Sequence, residues 1–224
     1  MNPVKKAAHI AGWLYLLISI PVGYCLRSPK TMFVIWNDPV ATAQRIGSSQ
    51  FLFRLCMAAE ILSAVGFLFI ALALYRVFVG FDKFASSLMV TLWVVSIPIS
   101  CLNLLNKIAV LHVLSSGDQT VQSQQLVMLF LDLHRWGIII AQIFWGLWLL
   151  PLGVMIVRSR YLPRLIGFLV IAAACAYPIS SFTFLLAPTH GDAVSTASMY
   201  VGGFGELPLM LWLIVKGAKV PPAL

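Results

Sequence analysis

Six stretches of this chain are apolar over enough residues to cross a lipid bilayer. They run over about 7–26, 51–75, 85–111, 131–157, 165–187 and 197–215. An α-helix needs roughly 20 such residues, because each adds about 1.5 Å across a hydrocarbon core of about 30 Å. The runs are continuous and do not alternate over about ten residues, so they predict helices and not the strands of a barrel. Between them fall a longer loop at 27–50, a tight turn around Gly80-Phe81-Asp82, a polar stretch at 115–125, a basic turn from Arg158 to Arg164, and a loop at 188–196. Pro163 suits the first turn of the fifth helix, where its missing N–H costs nothing. The pattern predicts an all-α polytopic membrane protein, a bundle of six transmembrane helices forming a single domain over residues 1–224.

Composition removes the alternatives. Of 224 residues, 61% are hydrophobic and 10% charged, against roughly a quarter charged in a soluble domain. Too few polar residues exist to cover a soluble surface, so membrane lipid is the expected partner of the exterior. A net charge of +8 invites nucleic acid, but the basic residues punctuate apolar runs and form no patch, so no nucleic-acid binding is expected. With six spans, one side collects Lys5, Lys6, Arg76, Lys83, Arg158, Arg160, Arg164, Lys216 and Lys219, the other only Arg27, Lys30 and Arg45. Nine against three predicts that both termini are cytoplasmic, in a cell inner (plasma) membrane. Lys5 and Lys6 before an apolar run mimic a secretion signal, yet no small-x-small cleavage pattern follows, so the run reads as an uncleaved first span. Cys25, Cys56, Cys101 and Cys175 lie in separate apolar segments without a CxxC, which points to small buried residues. A Cys25–Cys56 disulfide towards the outer face is conceivable.

Charges inside the spans call for partners. Arg54, Lys107 and Arg135 are matched in number by Glu60, Asp132 and Glu206. A charge near the bilayer centre costs about 2.5–3.5 kcal/mol on insertion scales, so such groups face the bundle interior and pair. Counting from the cytoplasmic anchors, Glu206 lies roughly 15 Å from Lys216 and Glu60 roughly 24 Å from Arg76. Arg54, Lys107, Asp132 and Arg135 fall beyond roughly 30 Å by the same count. Cys56, Glu60, Ser63 and Phe67 share one helix face, and Asn103, Asn106 and Lys107 form a polar stripe on another. The candidate intramembrane polar site is therefore Glu60, Asn103, Asn106, Lys107 and Glu206. Arg54, Asp132, His134 and Arg135 compose a candidate outer mouth, with Asp132 and Arg135 spaced to pair on one turn. Gly202, Gly203, Gly205 and Pro208 around Glu206 read either as close helix packing with a kink or as a broken helix at a binding site. The histidines show no HExxH or other ligand spacing, so no metal and no cofactor is assigned.

Several short motifs come in a familiar order: Ile10-Ala11-Gly12-Trp13-Leu14-Tyr15-Leu16-Leu17, Leu52-Phe53-Arg54-Leu55, Leu74-Tyr75-Arg76 and Leu102-Asn103-Leu104-Leu105. Phe130-Leu131-Asp132-Leu133-His134, the Arg158 to Arg164 turn with Gly167, Gly205-Glu206 and Leu211 to Gly217 follow. This succession resembles the bacterial membrane family catalogued as domain of unknown function 4386. The resemblance implies a six-helix inner-membrane protein and carries over no catalytic residue; it includes Arg54, Asp132, His134 and Glu206 in its motifs. Three functions are compatible with these features. A non-catalytic membrane scaffold or assembly component ranks first, and a small-molecule or proton-coupled carrier using Glu60 and Glu206 second. A membrane-embedded enzyme with an outward site near Asp132 and His134 ranks third, so enzymatic activity is not the leading expectation. Small-residue faces leave a homo-oligomer open, and no small-molecule ligand is specified.

Overall fold

The computed structural model describes residues 2–27, 33–118 and 120–219. Among them the chain is all-α, with no strand: α1 Pro3–Arg27, α2 Pro39–Ser48, α3 Gln50–Phe78, α4 Lys83–Ser115, α5 Val121–Leu147, α6 Leu149–Ser159, α7 Arg164–Leu186 and α8 Pro188–Val215. Helices α5 and α6 run on from each other past Trp148. Five segments, α3, α4, Val121–Ser159, α7 and α8, are long and apolar enough to cross a membrane; α1 is comparable in length at 25 residues.

Local chemistry sets the helix ends. The Asp82 carboxylate accepts from the Ala85 N–H at 2.9 Å and starts α4, and Asp38 does the same for α2 through Ala41 at 2.9 Å. Side-chain acceptors satisfy first-turn N–H groups that have no intrahelical partner. Arg160 closes α6 with φ 59°, while Gly117 and Gly217 follow α4 and α8 with φ 71° and 66°, the left-handed stop that glycine makes without strain. Two helices begin earlier than the apolar runs predict. α5 starts at Val121, capped by Thr120, and not near 131; its first turns bury Val127 and Leu131 against Phe33, Phe53 and Val110. α8 starts at Pro188, so 188–196 is helix and not loop. Hydropathy marks where lipid contact ends, whereas backbone hydrogen bonds continue as long as a cap and a packed face support them. Likewise α2 is a short helix inside the expected 27–50 loop.

Six long segments close into a ring in chain order. α1 packs on α3, α3 on α4, α4 on α5, α5 on α7, α7 on α8, and α8 returns to α1. Gly12 permits that last closure, since a Cβ there would sit 2.7 Å from the Ile214 amide nitrogen. At one end the two termini meet. The Lys219 N–H donates to the Tyr161 carbonyl at 2.9 Å, His9 Nδ1 lies 2.9 Å from the Ile214 carbonyl, and Tyr161 stacks on Phe78 at 5.8 Å. The start of α1, the end of α8 and the α3–α4 and α6–α7 turns thus share one end, which carries the nine basic residues counted above. Just inside it, Leu74, Phe78, Met89, Leu152, Met155 and Leu213 form a continuous apolar core. The exterior of the ring is apolar as well, with Phe51, Phe84 and Leu186 at 80%, 77% and 82% exposure. Lipid, not water, suits such a surface.

Candidate functional site

Two carboxylates lie within the ring and have different partners. Glu60, midway along α3, pairs through one oxygen with the Lys107 ammonium of α4. The two side chains are 12% and 4% exposed, and Lys107 also sits 5.7 Å from the Phe53 ring centroid. The second Glu60 oxygen is 3.5 Å from His134 Nε2 on α5. Asn103, one turn before Lys107, fixes that imidazole. Its amide donates to the His134 carbonyl at 2.8 Å, and its own carbonyl lies 3.2 Å from His134 Nδ1. A carbonyl only accepts, so Nδ1 carries the hydrogen there. Asn106 donates to Asn103 at 3.1 Å. Gly137 makes room for this crossing, because a Cβ would lie 2.0 Å from Asn103 Oδ1. His134 Nε2 and Gln142 Oε1 are buried with no hydrogen-bond partner among the described residues. With its hydrogen on Nδ1, His134 turns the bare Nε2 towards the Glu60 carboxylate.

Glu206 on α8 has no such counter-ion among the described residues. Its two oxygens accept from the hydroxyls of Tyr15 on α1 and Tyr177 on α7, the latter at 2.8 Å. No Lys, Arg or His pairs with it among the described residues. Gly202 admits Tyr177, since a Cβ there would meet the Tyr177 hydroxyl at 2.2 Å, and a Cβ at Gly205 would lie 2.7 Å from the Leu169 carbonyl. α8 stays helical through Gly202-Gly203-Phe204-Gly205-Glu206-Leu207-Pro208, so the broken-helix alternative does not hold; Gly202 and Gly205 serve close packing, whereas Gly203 lines the chamber.

Both acids face one chamber of about 380 Å³. Part of its wall is a contiguous aromatic cluster. Tyr15 meets Phe67 edge-on at 5.1 Å, Phe67 stacks on Trp93 at 4.9 Å, and Trp93 meets Trp148 at 5.2 Å. A smaller cavity of about 120 Å³ shares Glu60, His134, Ile138 and Trp145 with the chamber and extends to Trp36 and Arg135. The Glu60–Lys107–His134 cluster thus stands where the two spaces meet.

The expected outer mouth divides. His134 is buried and belongs to the Glu60 cluster, because its position on α5 faces the ring interior. Arg135 binds Asp192 of α8 at 2.5 Å and lies 5.1 and 4.6 Å from the Trp36 and Phe184 ring centroids; it does not pair with Asp132. Arg54 is exposed, and neither it nor Asp132 forms an ion pair among the described residues. Lys107, counted to outer headgroup depth from the sequence, is 3% exposed and touches Glu60. Tyr15, Tyr177 and the tryptophans were missed; a hydroxyl or an indole N–H in an otherwise apolar run was their sole signal. No three His, Cys, Asp or Glu side chains converge on a metal site among the described residues. The Cys25–Cys56 pairing lies outside the described residues.

Residues 10–217 match the family described as "Domain of unknown function (DUF4386)", and the chain belongs to that family. An "Uncharacterized protein" of Archaeoglobus fulgidus is 36% identical over 78 residues, 35% of this chain and 44% of that protein. The match therefore spans less than half the length of that curated relative. No solved structure matches.

Proposed function

We propose that this member of the family is a polytopic inner-membrane carrier for a small molecule, with the chamber between Glu60 and Glu206 as its binding site. In this reading six helices cross the bilayer and the basic end, with both termini, faces the cytoplasm. The observation that carries it is the chamber itself, which joins two intramembrane carboxylates that a close-packed bundle would have kept apart or paired. Interiors pack densely and leave few voids, and ligand sites are concave, mostly apolar and furnished with a few placed polar groups.

The ends of the ring suggest the state. The smaller cavity links the Glu60 cluster to the Arg135 end, while the apolar core around Phe78, Met155 and Leu213 closes the basic end. A guest enters from the outer side, and transport requires that core to part. Glu60 and His134, two facing acceptors, provide a place for a proton to ride with the guest.

A scaffold or assembly component is the second reading, favoured by the buried Glu60–Lys107 pair, which packing alone could use to set helix register. It gives no role to the chamber, to the unpartnered His134 Nε2 and Gln142 Oε1, or to a Glu206 without a counter-ion. An enzyme built outward on Asp132 and His134 is the least supported, since His134 turns inward.

Access from the outer side is testable. In a variant with all four cysteines replaced by alanine, Ile138→Cys lines both cavities and Leu213→Cys lies in the sealing core. A membrane-impermeant thiol reagent added outside right-side-out vesicles should label the first and spare the second. Labelling of neither, or of Leu213→Cys alone, would overturn the outward-open carrier.

A further inference from the structure

We infer that the chamber takes an organic cation, an amine or quaternary ammonium carrying an apolar body, held by Glu206 and the aromatic wall. This rests on the chamber being a ligand site, and it names the ligand class. Glu206 is the group that decides the sign. Tyr15 and Tyr177 each donate one hydrogen bond to it, which orients both oxygens and leaves each with a lone pair for a further donor. Glu60, by contrast, already has Lys107. An ionised carboxylate taken out of water without a counter-ion is costly, and a cationic guest supplies that counter-ion. The remaining walls suit the same guest. Tyr15, Phe67, Trp93 and Trp148 all line the chamber and contact one another, and aromatic rings attract cations, Trp most strongly, when water is excluded. An anionic guest would meet two acids and no unpaired cation among the described residues lining the chamber. A neutral apolar guest would fill the space but leave Glu206 unanswered.

Three probes of like size separate these cases: benzyltrimethylammonium, its uncharged carbon isostere neopentylbenzene, and phenylacetate. Binding of each to the full chain in lipid nanodiscs is measured against protein-free nanodiscs. We expect benzyltrimethylammonium to bind at least about tenfold more tightly than neopentylbenzene, with phenylacetate weakest. Glu206→Gln should weaken the cation at least about tenfold and leave neopentylbenzene nearly unchanged, while Asp118→Asn, in the α4–α5 turn and lining neither cavity, should alter cation affinity less than about threefold. Neopentylbenzene or phenylacetate binding as tightly as the cation would overturn the cation assignment and leave the chamber as a ligand site. Cation affinity untouched by Glu206→Gln would likewise overturn it. Binding of none of the three would sink the ligand-site reading itself. The comparison of probes on the unaltered protein decides the question even where a variant fails to fold.

Discussion

Replacing Lys107 by methionine keeps most of the side-chain volume and removes the charge. The Glu60 carboxylate then stays among Asn103, His134 and Phe53 with its one ion-pair partner among the described lysines and arginines gone. Exposures of 12% and 4% leave little water to screen or solvate the survivor, so the cost is that of an orphaned buried charge, about 3–5 kcal/mol. The facing His134 Nε2, at 3.5 Å, is too far for a good hydrogen bond. At about 2–4 °C per kcal/mol for a chain of this length, the thermal midpoint in mild detergent should fall by about 6–20 °C. Lys107→Met combined with Glu60→Gln removes both charges and should recover most of that loss, to within about 1 kcal/mol of the parent, because a buried pair is worth little net. The cycle therefore predicts strong coupling between the two positions. A single variant within about 1 kcal/mol of the parent, or a double variant as unstable as the single one, would refute the geometry of this pair.

Other expectations follow from the same geometry. Gly202→Val places carbon where the Tyr177 hydroxyl now lies; it should lower stability by about 1–3 kcal/mol through overpacking and weaken cation binding, whereas Tyr177→Phe should weaken binding with a smaller stability loss. In the α4–α5 turn, hydrogen bonds from the Ser123 hydroxyl and from the Thr120 N–H and hydroxyl hold the Asp118 carboxyl below the usual aspartate range. A depressed folded value means the contribution is present above the unfolded value and is lost as pH falls through the folded one. The stability difference between the parent and Asp118→Asn should therefore be flat at neutral pH and vanish only in strong acid; a difference already gone at mildly acidic pH would contradict this. Reporter fusions after Lys83, Arg164 and Lys216 should read cytoplasmic and those near Gly117 and Gly191 periplasmic, and the opposite reading at two sites would overturn the orientation.

Helical class was legible because lipid imposes length and apolarity on each run, and the basic clusters at Arg76–Lys83 and Arg158–Arg164 marked one end. Depth counting singled out Glu60 and Glu206, and both line the chamber. That Lys107 meets Glu60 was not legible, since counting along one helix carries no knowledge of which side chains of the next lie beside it. His134 was assigned outward for the same reason: its depth was legible, its rotation about α5 was not. Tyr15 and Tyr177 were invisible as ligands of Glu206 because a tyrosine in an apolar run can equally turn to lipid. Only the ring, closed by Gly12 against α8 and opened to Tyr177 by Gly202, decides which way each faces. The helical starts at Val121 and Pro188 were missed because caps and packing extend a helix beyond its apolar part.

Carriage across a bilayer is the central claim, and flux measures it most directly. Proteoliposomes holding the purified chain would be given labelled benzyltrimethylammonium, neopentylbenzene or phenylacetate on one side, with protein-free liposomes as the baseline. The account predicts saturable uptake of the cation above that baseline, reduced at least about tenfold in Glu206→Gln protein that inserts and folds normally. Uptake of all three probes at the protein-free rate would contradict it.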